Sequence, residues 1–292
     1  MNAAVRAVGA VVVAWGLSPA ALADEPVRPA GRVTRIGAVA YSPAAVTIFQ
    51  GMTRYLSGGG LPADYVLYSN YDSLVAALAR GEIDIAWNTP LAHAKFHVQN
   101  QCASQTLVMR DVDVGVQSLL VARAESKIAA TGDLAGKKLV LGSSQAAEAT
   151  VLPLHYLKQA GVDFSRVQIV SLDAEVDSQG NPCASPQHVL QALVSGRGEA
   201  GIITTELWNR VKDEPAARQL QVVWTSPPFS HCVFTAAATF DKDRAQRFTR
   251  LMQDMDPSAS ATRDVMRLEG TKKWLAGSPD GFKDLIEAIT SK

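Results

Sequence analysis

One supersecondary pattern occurs twice in this sequence, and it restricts the chain to a small set of folds. In the first copy, a helical segment begins at Ser73, stops at Gly81 and is followed by an apolar strand at 83–87. In the second copy, a helical segment begins at His188, stops at Gly196 and leads to an apolar strand at 200–204. Glycine commonly ends helices, and alternating helices and strands build helix-covered, mostly parallel sheets. We therefore expect two α/β lobes with the same plan.

Further periodic segments surround the two copies. Strands are predicted at 33–39, 65–68, 139–141 and 167–172, and helices at 44–56 and 147–160. Two β-rich segments, 115–122 and 222–236, connect the halves. Two such connections form a hinge, so a cleft is expected between the lobes.

The predicted domain boundaries follow from these connections. Lobe one comprises 33–121 and 232–289, including helices at the carboxyl end that pack back on it, and lobe two comprises 122–231. The predicted fold class is α/β, with two Rossmann-like lobes joined by a two-segment hinge. One continuous doubly wound sheet is the alternative that the same alternation allows.

The first 23 residues have the features of a secretory signal peptide. Arg6 precedes the apolar stretch 7–17, and small residues at 21 and 23 form a cleavage site before Asp24. A proline-containing leader is expected at 24–32. The apolar stretch is too short for a membrane span, which favours export to the periplasm over the alternative of an uncleaved anchor.

Charge and cysteine content narrow the class of protein further. The chain has 28 Lys and Arg against 28 Asp and Glu, and no dense basic patch, so a nucleic-acid partner is not expected. Three cysteines in an oxidising compartment suggest one disulfide and one thiol. Cys183 and Cys232 are the favoured pair, with independent thiols as the alternative. A monomer without a cofactor is expected.

A loop that joins a strand to a helix is the first candidate for ligand contact. The apolar strand at 138–141 leads into the small-residue loop after Gly142, and a helix follows. Backbone N–H groups at such a junction can face a ligand. Ser143 and Ser144 are therefore candidate contacts, whereas Glu148 is unexpected at an anion site.

Three local motifs carry a resemblance to a known family. They are the stretch 81–91 (GEIDIAWNTPL), the stretch 133–140 (DLAGKKLV) and the helix start from Pro153 to Tyr156. With them, the mature chain resembles the phosphonate/phosphite-type periplasmic substrate-binding proteins of ABC transporters, which have the two-lobed type II periplasmic binding protein fold. The resemblance implies capture of a small molecule by hinge closure, followed by docking on an inner-membrane ABC permease.

The sequence departs from this family at the residues that would hold an oxyanion. Counted back from Pro153, the family's Ser-Thr-Ser-Gly run falls on Ala146, Ala147, Glu148 and Ala149. Three hydroxyl donors are lost, and a carboxylate takes the place of one of them. Like charges about 4 Å apart cost roughly 4 kcal/mol at an intermediate dielectric. A simple phosphonate is therefore not the expected ligand.

Other candidate contacts come from the family spacing or from their place after strands. His188 matches the spacing of a family histidine, Asn88 replaces a family aromatic, and His231 lies near a family acidic position. The predicted ligand-binding set is Tyr41, Ser42, Tyr71, Asn88, Thr89, Ser143, Ser144, Glu148, His188, Thr205, Glu206 and His231.

The same residues leave metal binding and ligand sensing open as alternatives. Asp173, Glu175 and Asp177 form an acidic loop that lacks the EF-hand glycine and closing glutamate, so a solvated loop is favoured over a cation site. If Glu148, Glu206, His188 and His231 face one cleft together, this set suits a cation, a metal complex or a neutral polar solute better than a bare oxyanion. A ligand sensor for a membrane partner is the other alternative. No nucleophile motif or metal-ligand motif predicts an enzyme.

Overall fold

The computed structural model of the protein describes residues 32–176 and 183–291. The predicted signal peptide, most of the leader and Asp177 lie outside these residues. The strands are β1 Thr34–Val39, β2 Ala63–Tyr68, β3 Ile85–Asn88, β4 Ser104–Arg110, β5 Ser118–Arg123, β6 Lys138–Leu141, β7 Gln168–Ser171, β8 Ala200–Thr204, β9 Leu220–Thr225, β10 Val233–Ala237 and β11 Trp274–Ala276. The α-helices are α1 Ala45–Gly58, α2 Tyr71–Ala79, α3 Pro90–Gln99, α4 Leu152–Gln159, α5 Pro186–Val194, α6 Thr205–Val211, α7 Lys242–Gln253, α8 Arg263–Leu268 and α9 Lys283–Thr290.

The strands form two separate sheets, as two lobes require. The first sheet has the order β11-β4-β10-β3-β1-β2, and the second has the order β7-β6-β8-β5-β9. In the first, β1 is parallel to β2 and β3, and β10 runs antiparallel to β3. In the second, β6 is parallel to β7 and β8, and β5 runs antiparallel to β8. The predicted α/β fold of two lobes is confirmed, and the single long sheet does not form.

Each lobe is held by its own apolar core. In the first, the ring of Trp87 packs 4.5 Å from that of Phe234 and 5.8 Å from that of Trp274, measured between ring centroids. In the second, Val140 and Ile203 are fully buried under α5. Trp87 is thus a core residue near the end of β3, and the guanidinium of Arg110 lies over its ring.

The change from one sheet to the other comes slightly earlier than predicted. Because β5 pairs with β8 and β9 from Ser118 onward, the second sheet begins before the predicted boundary after residue 121. Just ahead of β5, Val116 pairs with Phe229 of the returning segment, and each backbone N–H donates to the other's carbonyl at 2.9 Å. The two connections therefore touch each other, side by side, at one antiparallel bridge.

Helices of the two lobes also meet directly. An apolar cluster joins Leu91 of α3 and Leu285 of α9 to Leu152 and Tyr156 of α4. The Tyr156 hydroxyl donates to Asp284 at 2.6 Å in the same contact. The lobes are thus in contact along one flank of the hinge.

The cysteines do not pair as predicted. Cys232 forms no disulfide in the described residues, and its sulfur lies 3.2 Å from Nδ1 of His231. The predicted Cys183–Cys232 bond is therefore wrong for this structure, because the Cys232 thiol is engaged by its neighbour instead. Within the ranges described, no helix is long and apolar enough to cross a membrane.

Candidate functional site

A cavity of about 650 Å³ lies where the hinge meets the second lobe. Its walls come from both connecting segments, from the start of α6 and from the turn before α4. The lining residues are Arg110, Val112, Asp113, Val114, Gly115, Val116, Gln117, Glu148, Pro186, Gln187, Thr204, Thr205, Glu206, Leu207, Arg210 and His231. Four of the predicted ligand-binding residues, Glu148, Thr205, Glu206 and His231, are therefore brought to one cavity.

His231 lies between two carboxylates at the base of this cavity. Its Nδ1 is 3.1 Å from Oδ1 of Asp113, and its Nε2 is 3.3 Å from Oε2 of Glu148. Asp113 is buried, whereas the side chains of His231 and Glu148 keep about a fifth of their surface exposed. Since Glu148 belongs to lobe two and His231 to the returning hinge segment, the ion pair spans the cleft.

The surroundings favour the charged forms of both partners. Burial disfavours the Glu148 carboxylate, but the hydrogen bond and charge of His231 outweigh burial and hold the pKa of Glu148 below its usual value. Burial likewise opposes the imidazolium, yet the nearby Cys232 sulfur and the hydrogen bonds to Asp113, Cys232 and Glu148 raise the pKa of His231 well above its usual value. The pair is therefore ionised near neutral pH.

Arg110 extends this chain of charges into the first lobe. It donates to both Asp113 oxygens, from Nε at 2.6 Å and from Nη2 at 2.9 Å. Its Nη1 also lies 3.3 Å from Oε2 of Glu269, whose other oxygen accepts the Tyr41 hydroxyl at 2.5 Å. The guanidinium rests 5.3 Å from the ring centre of Trp87. A continuous polar network thus runs from Tyr41 to Glu148.

The carboxylates of the network differ in their proton affinity. Burial raises the pKa of Glu269, against the lowering effect of Tyr41 and Arg110. Burial also acts on Asp113, but hydrogen bonds from His231 and Arg110 overcome it and lower the pKa of Asp113. The Asp113 carboxylate is therefore the anionic centre to which both cations of the network are bound.

The loop after Gly142 does not offer the predicted set of unused N–H groups. The N–H of Ser143 donates to the carbonyl of Ala184 at 3.0 Å, and that of Ser144 donates to Oδ1 of Asp173 at 3.0 Å. The N–H of Gln145 donates to Oγ of Ser143 at 3.2 Å. Neither serine lines the cavity. The protein itself thus satisfies the N–H groups of Ser143 and Ser144, and ligand contact by these two serines stays a prediction.

His188 is also engaged within its own helix. Its Nδ1 lies 2.7 Å from Oγ of Ser185, the residue that caps α5, and the Ser185 N–H points to the same nitrogen at 3.3 Å. The neighbouring Pro186 and Gln187 line the cavity, but His188 does not. Its described role is therefore that of a capping residue.

The remaining predicted residues lie around the first lobe's strand ends. Tyr71 and Thr89 line a separate cavity of about 210 Å³, and Thr89 also caps α3 by accepting the N–H of Ala92 at 3.3 Å. Asn88 is buried, and neither of its amide atoms has a partner among the described residues. Ser42 accepts the N–H of Ala45 through its carbonyl at the start of α1. Tyr41 takes part in the polar network through its hydrogen bond to Glu269.

The acidic loop is paired rather than arranged around a cation. Asp173 accepts the Ser144 N–H, and Glu175 forms a two-point ion pair with Arg197 at 2.5 and 2.8 Å. Asp177 lies outside the described residues. The favoured interpretation, a polar surface loop, agrees with these contacts.

A sequence profile described as "ABC transporter, phosphonate, periplasmic substrate-binding protein" matches residues 37–282. The chain belongs to this family. The resemblance noted from the motifs is therefore confirmed, and the family is one of periplasmic binding proteins rather than enzymes. No functionally curated protein matches the chain significantly in sequence.

Solved structures with the same fold extend over nearly the whole chain. PhnD1 from Prochlorococcus marinus, solved in complex with methylphosphonate, is 17% identical, covers 89% of this chain and 97% of its own, and has a TM-score of 0.64. A Xanthomonas citri protein bound to ATP is 15% identical, covers 89% and 97%, and has a TM-score of 0.69. A binding protein component of a Pseudomonas aeruginosa ABC phosphonate transporter is 17% identical, covers 88% and 85%, and has a TM-score of 0.57. At such identities the similarity establishes the fold.

Three members of the polar network were missed from the sequence. Arg110 ends β4, a strand that was not predicted, while Asp113 and Glu269 lie far apart in sequence and meet only through Arg110. The run Arg110-Asp-Val-Asp113, which places one cation beside two carboxylates just before the hinge, was the available signal.

Proposed function

We propose that this protein captures a small polar ligand in the cavity beside the hinge and delivers it to an ABC permease. Membership of the family indicates that the protein is the periplasmic substrate-binding component of an ABC transporter. The observation that carries the proposal is the cavity itself, because its lining joins both connecting segments to residues of lobe two. A ligand held there would contact both lobes at once, which is how hinge closure is coupled to binding.

The proposed ligand is not a simple phosphonate. Ala147 and Ala149, where the family motif has hydroxyl and glycine positions, are buried, and Glu148 between them is paired with His231. An oxyanion would have to displace a carboxylate from an imidazolium and would then meet no serine or threonine hydroxyl at these positions. Each missing charged hydrogen bond removes about 1.5–3 kcal/mol of affinity.

The cavity instead suits a ligand that has hydrogen-bonding groups and carries no excess negative charge. Glu148, Asp113 and Glu206 contribute carboxylates, which Arg110, Arg210 and His231 of the same lining balance, and Gln117 and Thr205 contribute neutral polar groups. Val112 and Val114 add apolar surface at the rim. We propose that the protein acts as a monomer, with one ligand per chain.

Filling the cavity tests this proposal. Val114 is half exposed and lines the cavity, so Val114→Trp should block ligand entry without disturbing a core. Val46→Trp, at a similarly exposed position on α1, is the matched control. Native mass spectrometry of the purified protein should detect a bound small molecule in the wild type and in Val46→Trp, but not in Val114→Trp. Equal occupancy in all three proteins would contradict the proposed site.

A further inference from the structure

Three metal-binding side chains of different types converge at the base of the cavity. One donor atom each from Asp113, His231 and Cys232 lies within 4.8 Å of the other two. Nδ1 of His231 is 3.1 Å from Oδ1 of Asp113 and 3.2 Å from Sγ of Cys232. A carboxylate oxygen, an imidazole nitrogen and a sulfur therefore surround one point in space.

The two distances from Nδ1 of His231 are close to those between neighbouring ligand atoms of a tetrahedral metal site. Zinc bonds of about 2.3 Å to sulfur and about 2.0–2.2 Å to nitrogen or oxygen place neighbouring ligand atoms roughly 3.4–3.6 Å apart in a tetrahedron. An outward movement of a few tenths of an ångström would thus be enough to admit the ion. We propose that Asp113, His231 and Cys232 bind a divalent transition metal of zinc-like softness, and that this metal, bare or carrying a small ligand, is the captured solute.

The donor types select the class of ion. Thiolate and imidazole are preferred by zinc and its first-row neighbours, whereas calcium and magnesium require a shell of oxygens. Three protein ligands leave a fourth position of the tetrahedron open. Asp113 and His231 line the cavity, so that position faces it and can accept water or a donor atom of a small molecule.

The surrounding residues provide the orientation that such a site needs. Metal-bound histidines usually donate their second ring N–H to a carboxylate, which fixes the ring and its tautomer. Glu148 is placed for this role, 3.3 Å from Nε2 of His231 on the side away from Cys232 and Asp113. A positioning function for Glu148 accounts for a carboxylate where the family has a hydroxyl.

Binding of the ion rearranges a small number of contacts. The metal replaces the Nδ1 proton of His231 and the thiol proton of Cys232, and both protons leave to solvent. At Asp113, Oδ1 turns from Nη2 of Arg110 and the backbone N–H of Cys232 to the metal, while Oδ2 keeps its 2.6 Å bond with Nε of Arg110. Arg110 therefore continues to hold the carboxylate in place.

The experiment uses the mature protein without a histidine tag, stripped of metal and kept reduced. Calorimetry with Zn²⁺ should give one site per chain, and Co²⁺ should give a thiolate-to-cobalt absorption band. Cys232→Ser should abolish the band and the saturable Zn²⁺ binding, whereas Cys102→Ser, at an exposed cysteine away from the cleft, should change neither. Glu148→Gln should weaken Zn²⁺ binding about 10–100-fold and retain the cobalt–thiolate band.

The possible outcomes separate this inference from the proposed function on which it rests. Absence of a Zn²⁺ site, or a site unchanged in Cys232→Ser, overturns the metal inference. If an organic molecule is then found in the wild type and is lost in Val114→Trp, the proposed capture of a solute still stands. A Zn²⁺ site that depends on Cys232 supports the inference if Zn²⁺ also reduces the radius of gyration in solution scattering. The same site without such compaction would be a structural metal site and would overturn its role as cargo.

Discussion

The carboxylate of Glu148 and the imidazole of His231 meet 3.3 Å apart across the cleft between the lobes. Glu148 lies in a π-helical turn, Ala147–Val151, directly before α4 of the second lobe, and His231 lies in the segment that returns to the first lobe. The Glu148 side chain thus occupies the position where, by the family resemblance, the ligand would bind. The consequences of this pair can be measured separately from the identity of the ligand.

Glu148 and His231 should be energetically coupled in the ligand-free protein. In a cycle of Glu148→Gln, His231→Gln and the double variant, urea unfolding should give a coupling free energy of about 1–2 kcal/mol, within the range for residues in one network. The coupling arises because either single change leaves a partly buried charge with one partner fewer.

The exposed pair of Glu206 and Arg210 provides the control for this cycle. These side chains lie 3.6 Å apart within α6, and the Glu206 side chain is 85% exposed. Solvent screening should limit their coupling to at most about 0.5 kcal/mol. Equal coupling in the two pairs would mean that the cleft does not strengthen the Glu148–His231 interaction.

Removal of the Glu148 carboxylate should open the site to an oxyanion. In Glu148→Ser, the Nε2–H of His231 loses its internal acceptor, and a hydroxyl is added at a position where the family has one. Methylphosphonate should then bind at least about tenfold more tightly than to the wild type, by calorimetry, as expected for one charged hydrogen bond gained and one repulsion removed. Glu206→Ser, which removes the same charge from the same cavity, should not produce this gain.

The fold was predictable because its signals are local. Helix stops at Gly81 and Gly196 and the apolar strands after them mark two copies of one plan, and these elements form where expected. The edge strand β11 has only three residues, and β4 lies inside the sheet between β10 and β11, so both depend on partners far away in sequence and were missed. Local pattern alone does not contain such partners.

The site was only partly predictable for a related reason. Glu148 stood out by its departure from a motif and His231 by its position. The sequence does not show that the two side chains pair, or that Asp113, bound by Arg110, contacts the other side of the His231 ring. Conversely, Ser143 and Ser144 looked available because a sequence does not reveal that Asp173 and Ala184 take up their N–H groups. Donors can be counted from a sequence, but their acceptors are set by tertiary structure.

Close backbone packing at Gly142 should make this glycine hard to replace. A Cβ atom there would lie 2.7 Å from the carbonyl oxygen of Ala184, the same oxygen that accepts the Ser143 N–H. Gly142→Ala should therefore lower the free energy of unfolding by about 1–3 kcal/mol. Gly132→Ala, where no atom lies within 4 Å of the added Cβ, should change it by less than about 0.5 kcal/mol. Urea titration of both variants makes the comparison, and equal values would contradict the packing argument.

The hydrogen bond between Tyr156 and Asp284 should help to hold the lobes together. It joins α4 of the second lobe to α9, at 2.6 Å, within the apolar contact between the lobes. Tyr156→Phe removes a bond to a charged group, worth about 1.5–3 kcal/mol. We expect a larger radius of gyration in solution scattering and faster hydrogen exchange in α9. Tyr65→Phe, which changes the first lobe's own core, should leave the radius of gyration and the exchange in α9 unchanged. If Tyr156→Phe also leaves them unchanged, the apolar cluster alone holds the lobes together.

Buried His93 should make the protein less stable in acid. Its ring packs against Phe282, its Nδ1 lies 2.8 Å from the Thr235 hydroxyl, and burial lowers its pKa to about 3. The unfolded chain takes up this proton at the ordinary pKa of about 6.5, so the stability contributed by neutral His93 is complete above about pH 6.5 and is lost progressively down to about pH 3. At pH 5 the loss is about 2 kcal/mol.

Urea unfolding of the wild type between pH 7 and pH 5 should show this decrease, and His93→Gln should show a decrease smaller by that amount. His155→Gln, at a partly exposed histidine on α4, should follow the wild type, and a parallel decrease in all three proteins would refute the assignment to His93.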